Sequence, residues 1–178
     1  MTENNKIDES ILIGKTLSLI AIGVTTSFEK FSGWLLAGFG AAFALLLSNI
    51  ETVAKFIAVE DIKTGVLLYL IALASGVFQR WLAAGINAGA MVSKEAEDLG
   101  ANAPEGIDFD NVLTQIENST FYPQKWLVRY QFNQVRKNDY AAPGRMQATM
   151  AQIQGRLVLV QGVLVISSIV VMVRGLSA

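Results

Sequence analysis

FSGWLLAGFGAAFALLLSNI, residues 31–50, carries no charged side chain and is fenced by Lys30 and Glu51. A hydrocarbon core is about 30 Å thick and takes roughly 17–25 helical residues to cross, so this stretch has the length and character of a bilayer span. Two more charge-free stretches resemble it: TGVLLYLIALASGVFQ, 64–79, between Lys63 and Arg80, and LVLVQGVLVISSIVVMV, 157–173, between Arg156 and Arg174. The last is rich in β-branched residues, a composition common in strands. It has no period-2 alternation, however, and is far longer than the ~4–8 residues of a buried strand. A helix in lipid satisfies every backbone group internally. The expected fold is an all-α integral membrane protein with three transmembrane helices, or four if residues 11–28 also span, and a cytoplasmic helical insert before the last span.

Composition agrees. Of 178 residues, 52% are hydrophobic and only 16% charged, against ~25% charged in a soluble domain. The net charge of −1 gives no bulk attraction to nucleic acid or acidic lipid. The chain has no Cys and no His, which excludes disulfides, thiol catalysis and His-ligated metals.

The expected organisation has three parts. Residues 1–93 hold an N-terminal helix that is amphipathic or spanning, then a hairpin with spans at 31–50 and 64–80 and a stalk to 93. Residues 94–156 form the insert, and 157–178 the C-terminal transmembrane helix. In the first span Gly38 and Ala42 recur at four-residue spacing, beside Gly40; in the stalk Gly85 and Gly89 do so. Small residues let helix backbones approach closely in lipid, so these five are the expected packing positions, with self-association into a homo-oligomer as the expected outcome. Residues 11–28 have amphipathic spacing and are expected to lie in the membrane interface.

Orientation follows from the basic residues, which favour the cytoplasmic side. Seven lie between 94 and 156, two in the loop 51–63, and only Arg174 in the C-terminal tail. The insert is therefore expected to be cytoplasmic and the C-terminus outside, in the inner (plasma) membrane of a bacterium. Trp34, Arg80 and Trp81 suit the interface at the cytoplasmic ends of their helices.

The insert is polarised, acidic over 94–117 and basic over 118–156. Its basic half is also aromatic. Lys125, Trp126, Arg129, Arg136 and Lys137 are expected on one helix that rests on an anionic leaflet, packing against the acidic half being the alternative. The break in that helix is expected at Ala-Ala-Pro-Gly, 141–144. Asp108-Phe109-Asp110-Asn111 resembles the opening of a calcium loop, but position 6 is Leu113 rather than Gly and position 12 is Ser119 rather than Glu, so the match fails. Asp110 reads instead as a helix N-cap. No phosphate loop, dinucleotide fingerprint or nucleophile elbow occurs, and no catalytic residue, cofactor or metal is expected.

The plan of a small membrane hairpin with a helical insert resembles that of many bacterial accessory and effector membrane proteins, without pointing to one family. The expected function is a non-catalytic membrane subunit or scaffold that oligomerises and docks a cytoplasmic protein through its insert. A pore-forming or membrane-disrupting effector is the alternative, and a transporter or membrane enzyme is disfavoured.

Overall fold

The computed structural model describes residues 3–101, 107–120, 122 and 124–176. Every element among them is helical: α1 (Glu3–Ser48), α2 (Ile50–Val53), α3 (Val59–Ala101), α4 (Phe109–Ser119), α5 (Gln124–Val135) and α6 (Ala142–Gly175). Three of these, α1, α3 and α6, are long and apolar enough to cross a membrane. They contribute to two compact units. One comprises residues 1–23 and 86–150, the other 24–85 and 151–178.

Residues 11–28 form no separate span. They belong to the same unbroken helix as 31–48, because nothing between Gly23 and Lys30 breaks helical geometry. The Ala-Ala-Pro-Gly segment also behaves differently from the sequence expectation. It opens α6 rather than ending α5, so the last helix begins at Ala142, fifteen residues before the expected start at 157. Pro143 sits in the first helical turn, where its missing N–H is no loss. The break falls instead at 136–141, where Asn138 adopts a left-handed φ of 62°, a conformation that Asn tolerates. There the Asn138 and Asp139 amides donate to the Val135 and Gln134 carbonyls and close the end of α5.

The buried positions show why the three long helices stay together. On α3 they are Ile62, Gly65, Tyr69, Ala72, Gly76, Gln79, Ala83 and Ile86, with Leu82 beside them; on α6, after Ala142, they run Gly144, Gln147, Ala151, Gln154, Val158, Gln161, Val165, Ser168, Met172 and Gly175. Both alternate in steps of three and four, the seven-residue repeat of helices that wind around one another. On α1 the same steps pass through Gly14, Ala21, Thr25, Ser32 and Phe43, with Leu36, Phe39 and Leu46 partly buried. The opposite faces are apolar as well: Leu19, Leu45, Leu67, Val77, Leu159 and Val163 are all more than half exposed. A helix apolar on every side belongs in a large core or a bilayer.

In the second unit the apolar core is Phe43, Tyr69, Ala72, Val165 and Met172. The Phe43 and Tyr69 rings stack at 4.4 Å, and the Tyr69 hydroxyl donates to the Leu36 carbonyl at 2.9 Å. Glycines admit the larger partners. A Cβ on Gly65 would lie 2.9 Å from the Met172 side chain, one on Gly155 2.9 Å from the Phe28 ring, and one on Gly175 2.8 Å from both Ile57 and Asp61.

In the first unit the tightest crossing joins α1 to the start of α6. The Ala141 amide donates to Ser10 Oγ at 3.0 Å. A Cβ on Gly14 would lie 2.8 Å from the Tyr140 carbonyl oxygen, and one on Gly144 would collide with the Gly14 backbone.

Glycine-to-alanine substitutions are therefore expected to have opposite signs. Gly144→Ala should destabilise the protein, because backbone cannot move aside cheaply. Gly162→Ala, with nothing within 4 Å of the added atom, should be neutral or stabilising by up to about 1 kcal/mol through helix propensity. Thermal unfolding of the two variants in detergent tests the sign.

Candidate functional site

The seven-residue repeat of α6 has an unusual content. Gln147, Gln154, Gln161 and Ser168 recur at intervals of seven, and all four are buried. In the second unit Gln154, Gln161 and Ser168 are joined inside the bundle by Thr25 and Ser32 of α1 and Gln79 of α3, each at most 2% exposed. These polar groups thus share the interior with the apolar core of the unit, while the outward face is apolar.

The hydrogen bonds among them are sparse. Gln79 Nε2 donates to Gln161 Oε1 at 3.0 Å, and Ser168 Oγ donates to the Gly65 carbonyl at 2.7 Å. Gly76 provides the room: a Cβ there would be 3.0 Å from Gln161 Nε2 and 2.6 Å from Leu36 Cδ1. Thr25 Oγ1, Ser32 Oγ, Gln79 Oε1, Gln161 Nε2 and both polar atoms of Gln154 have no partner. None of these side chains ionises in the ordinary pH range, so the file can bind, orient and exchange hydrogen bonds but cannot carry a fixed charge.

The expected packing glycines divide. Gly40 lies within the bundle, its Cβ position 2.7 Å from the Tyr69 hydroxyl, and Gly89 faces Gln147 at 2.9 Å; Gly38 has nothing within 4 Å. Gly38 and Ala42 are exposed, while Gly85 is half-buried. The chain's own packing therefore uses Gly14, Gly65, Gly76, Gly144, Gly155 and Gly175, and leaves the Gly38–Ala42 face open. The signal that was missed is the seven-residue spacing of Gln and Ser on α6, which appears once polar rather than apolar residues are tested for periodicity.

The expected interface residues also separate. Trp34 is 83% exposed on α1. Trp81 stacks on Phe78 at 5.5 Å, beside the exposed Arg80. On α5, Trp126 and Tyr130 stack at 6.5 Å, and both remain at least half exposed. Arg129 and Arg136 turn instead toward α4. Arg129 Nε donates to Glu117 Oε1 at 2.5 Å, and Arg136 Nε donates to Asp110 Oδ1 at 3.1 Å. These pairs realise the contact between the acidic and basic halves. Lys125 bonds Asn118 Oδ1 at 3.5 Å, and Lys137 is exposed in the turn after α5. The acids Glu95, Glu97, Asp98 and Glu105 lie outside the described side chains. The N-cap of α4 is Asp108, whose Oδ1 accepts from the Asn111 amide at 3.1 Å, not Asp110. Asp108 is the residue with extended backbone, and a side-chain cap needs that geometry.

Comparison of the chain with protein-family models, curated proteins and solved structures finds no match.

Gln79→Leu or Gln161→Leu alone should destabilise by about 1–3 kcal/mol, because each orphans a buried amide, and the double variant should cost less than the sum. Gln154→Met, which removes two unpartnered atoms, should raise the unfolding temperature. In the hairpin, Arg129→Ala strands the Glu117 carboxylate, only 9% exposed, whereas Arg136→Ala releases Asp110, 77% exposed. The first should cost about 1–3 kcal/mol and the second under about 1, read as loss of helicity on denaturant titration.

Proposed function

We propose that this chain is an integral membrane scaffold whose three long helices form one polar-cored bundle in the bilayer and whose α4–α5 hairpin presents a docking surface to a cytoplasmic protein. The observation that carries the reading is the inside-out arrangement, with Gln79, Gln154, Gln161 and Ser168 buried beneath an apolar exterior. In water such a helix set would bury the wrong face. In hydrocarbon, polar groups between helices hold them together while apolar groups meet lipid.

The lengths support the same reading. Lys30 to Ser48 is a rise of eighteen residue steps along α1, Lys63 to Arg80 seventeen along α3, and Arg156 to Arg174 eighteen along α6. At 1.5 Å per residue these are about 26–27 Å each, against a core of about 30 Å. By the distribution of basic residues, the hairpin side is cytoplasmic and the 49–58 turn is outside. The hairpin exposes Tyr122, Trp126 and Tyr130 together with Val112 and Ile116 of α4, an aromatic and aliphatic set of the kind that anchors protein contacts. With Arg129 and Arg136 engaged by α4, the basic charge available to lipid there is reduced, which favours a protein partner.

A pore former is the second reading. The Gln and Ser repeat on α6 would line a water-filled channel if several copies opened and turned that stripe to a common axis. Ion flux through proteoliposomes that vanishes in Gln161→Leu would favour it over the scaffold.

Single cysteines placed at Phe56 and Lys137 test the topology, since the chain has none of its own. An impermeant thiol reagent should label residue 56 and spare residue 137 in intact cells; the reverse pattern would invert the assignment. A photo-crosslinking residue at Trp126 should give one discrete adduct, and one at Lys55 none. Equal adducts at both would remove the hairpin as the docking surface.

A further inference from the structure

The face of α1 that the bundle leaves open is shaped. Phe31, Trp34, Leu35, Gly38 and Ala42 line an apolar groove of about 780 Å³, and Lys30 stands at one end of it. The floor is low because Gly38 has no side chain, and the exposed Trp34 forms a wall. From Phe31 to Ala42 is eleven residue steps, about 17 Å of helix. That matches one leaflet of hydrocarbon, about half of a 30 Å core.

Further cations lie near Lys30, outside the groove itself. The Arg80 guanidinium lies over Gly33, 3.9 Å from its Cβ position, one turn of α1 beyond Lys30. Phe28 meets Gly155, the neighbour of Arg156, so α1, α3 and α6 each bring a cation to the same depth. Lys30, Arg80 and Arg156 make no ion pair among the described residues, and the one acid beside them on α1 is Glu29. A cationic head over an apolar trough one leaflet long is complementary to a single ligand class.

We propose that this groove binds an anionic diacyl phospholipid, its phosphate at Lys30 and one acyl chain lying over Gly38 against Trp34. The inference rests on the membrane reading above. Gly38 then serves a lipid chain rather than a second helix. Trp34 closes the trough and sets its ring at the depth where aromatic residues favour the interface.

Quenching of Trp34 by brominated acyl chains tests this in the full-length protein. Trp81→Phe and Trp126→Phe leave Trp34 as the sole reporter, in vesicles of phosphatidylcholine with a rising fraction of phosphatidylglycerol. Brominated phosphatidylglycerol should quench at roughly fivefold lower mole fraction than brominated phosphatidylcholine, the ratio set by about 1 kcal/mol for one basic contact. The preference should fall with salt and disappear in Lys30→Gln. Gly38→Leu should weaken quenching by both lipids while flotation with vesicles persists. Equal quenching by the two lipids would overturn the proposal in favour of an unselective annulus. Absence of quenching in protein that floats with vesicles would overturn it in favour of a second copy covering the groove. Protein that does not float would overturn the membrane reading itself and the lipid site with it.

Discussion

Everything in this chain depends on where its uncharged polar side chains go. Gln79, Gln154, Gln161, Ser32 and Thr25 are sealed between helices whose outer faces are leucine, valine and isoleucine. A buried amide without a partner costs about 1–3 kcal/mol, and Gln154 leaves both of its polar atoms unbonded. A core of that kind contributes less stability than an apolar one. What it can supply is register, as a single buried amide does in a coiled coil. The pair Gln79–Gln161 links α3 to α6, and Gly76 exists where it does so that the Gln161 amide can reach it.

The same helices are divided by charge. Lys30, Arg80 and Arg156 mark one boundary, Lys63 and Arg174 the other. Between these marks the side chains outside the bundle are apolar, and beyond them α4 and α5 use ion pairs. Arg136 on the exposed Asp110 contributes little alone, whereas Arg129 satisfies the nearly buried Glu117 carboxylate; together they fix which face of the hairpin remains free. The free face is the aromatic one.

Much of this was legible in the sequence. The three charge-free runs identified the three long helices, because an uninterrupted apolar length is a one-dimensional property. The helix starts were less legible. Ala142-Pro-Gly opens α6, although Pro and Gly together read as a break, because Pro within a first turn is indistinguishable by composition from Pro within a loop. Residues 11–28 look amphipathic by themselves, and only the absence of a breaker before Lys30 tells that they continue into the span. The packing glycines were the least legible. Gly38 has the four-residue spacing and faces outward, whereas Gly175 has no such neighbour and makes a close contact. Spacing along one helix reports a stripe; which stripe faces inward is decided by the partner helices. The Gln–Ser repeat was readable, but only by asking for polar periodicity in an apolar run.

A repeat of like residues at intervals of seven raises its own problem. Sliding α6 by one repeat would place Gln154 or Ser168 where Gln161 now sits, and polar chemistry alone would scarcely object. The selection comes from the two ends. Moving α6 one way puts Ala151 in the place of Gly144, whose added methyl would strike the Gly14 backbone. Moving it the other way puts Ser168 in the place of Gly175, where a Cβ would stand 2.8 Å from Ile57. The glutamines thus restrict α6 to a small set of equivalent registers, and one glycine at each end admits a single member of that set.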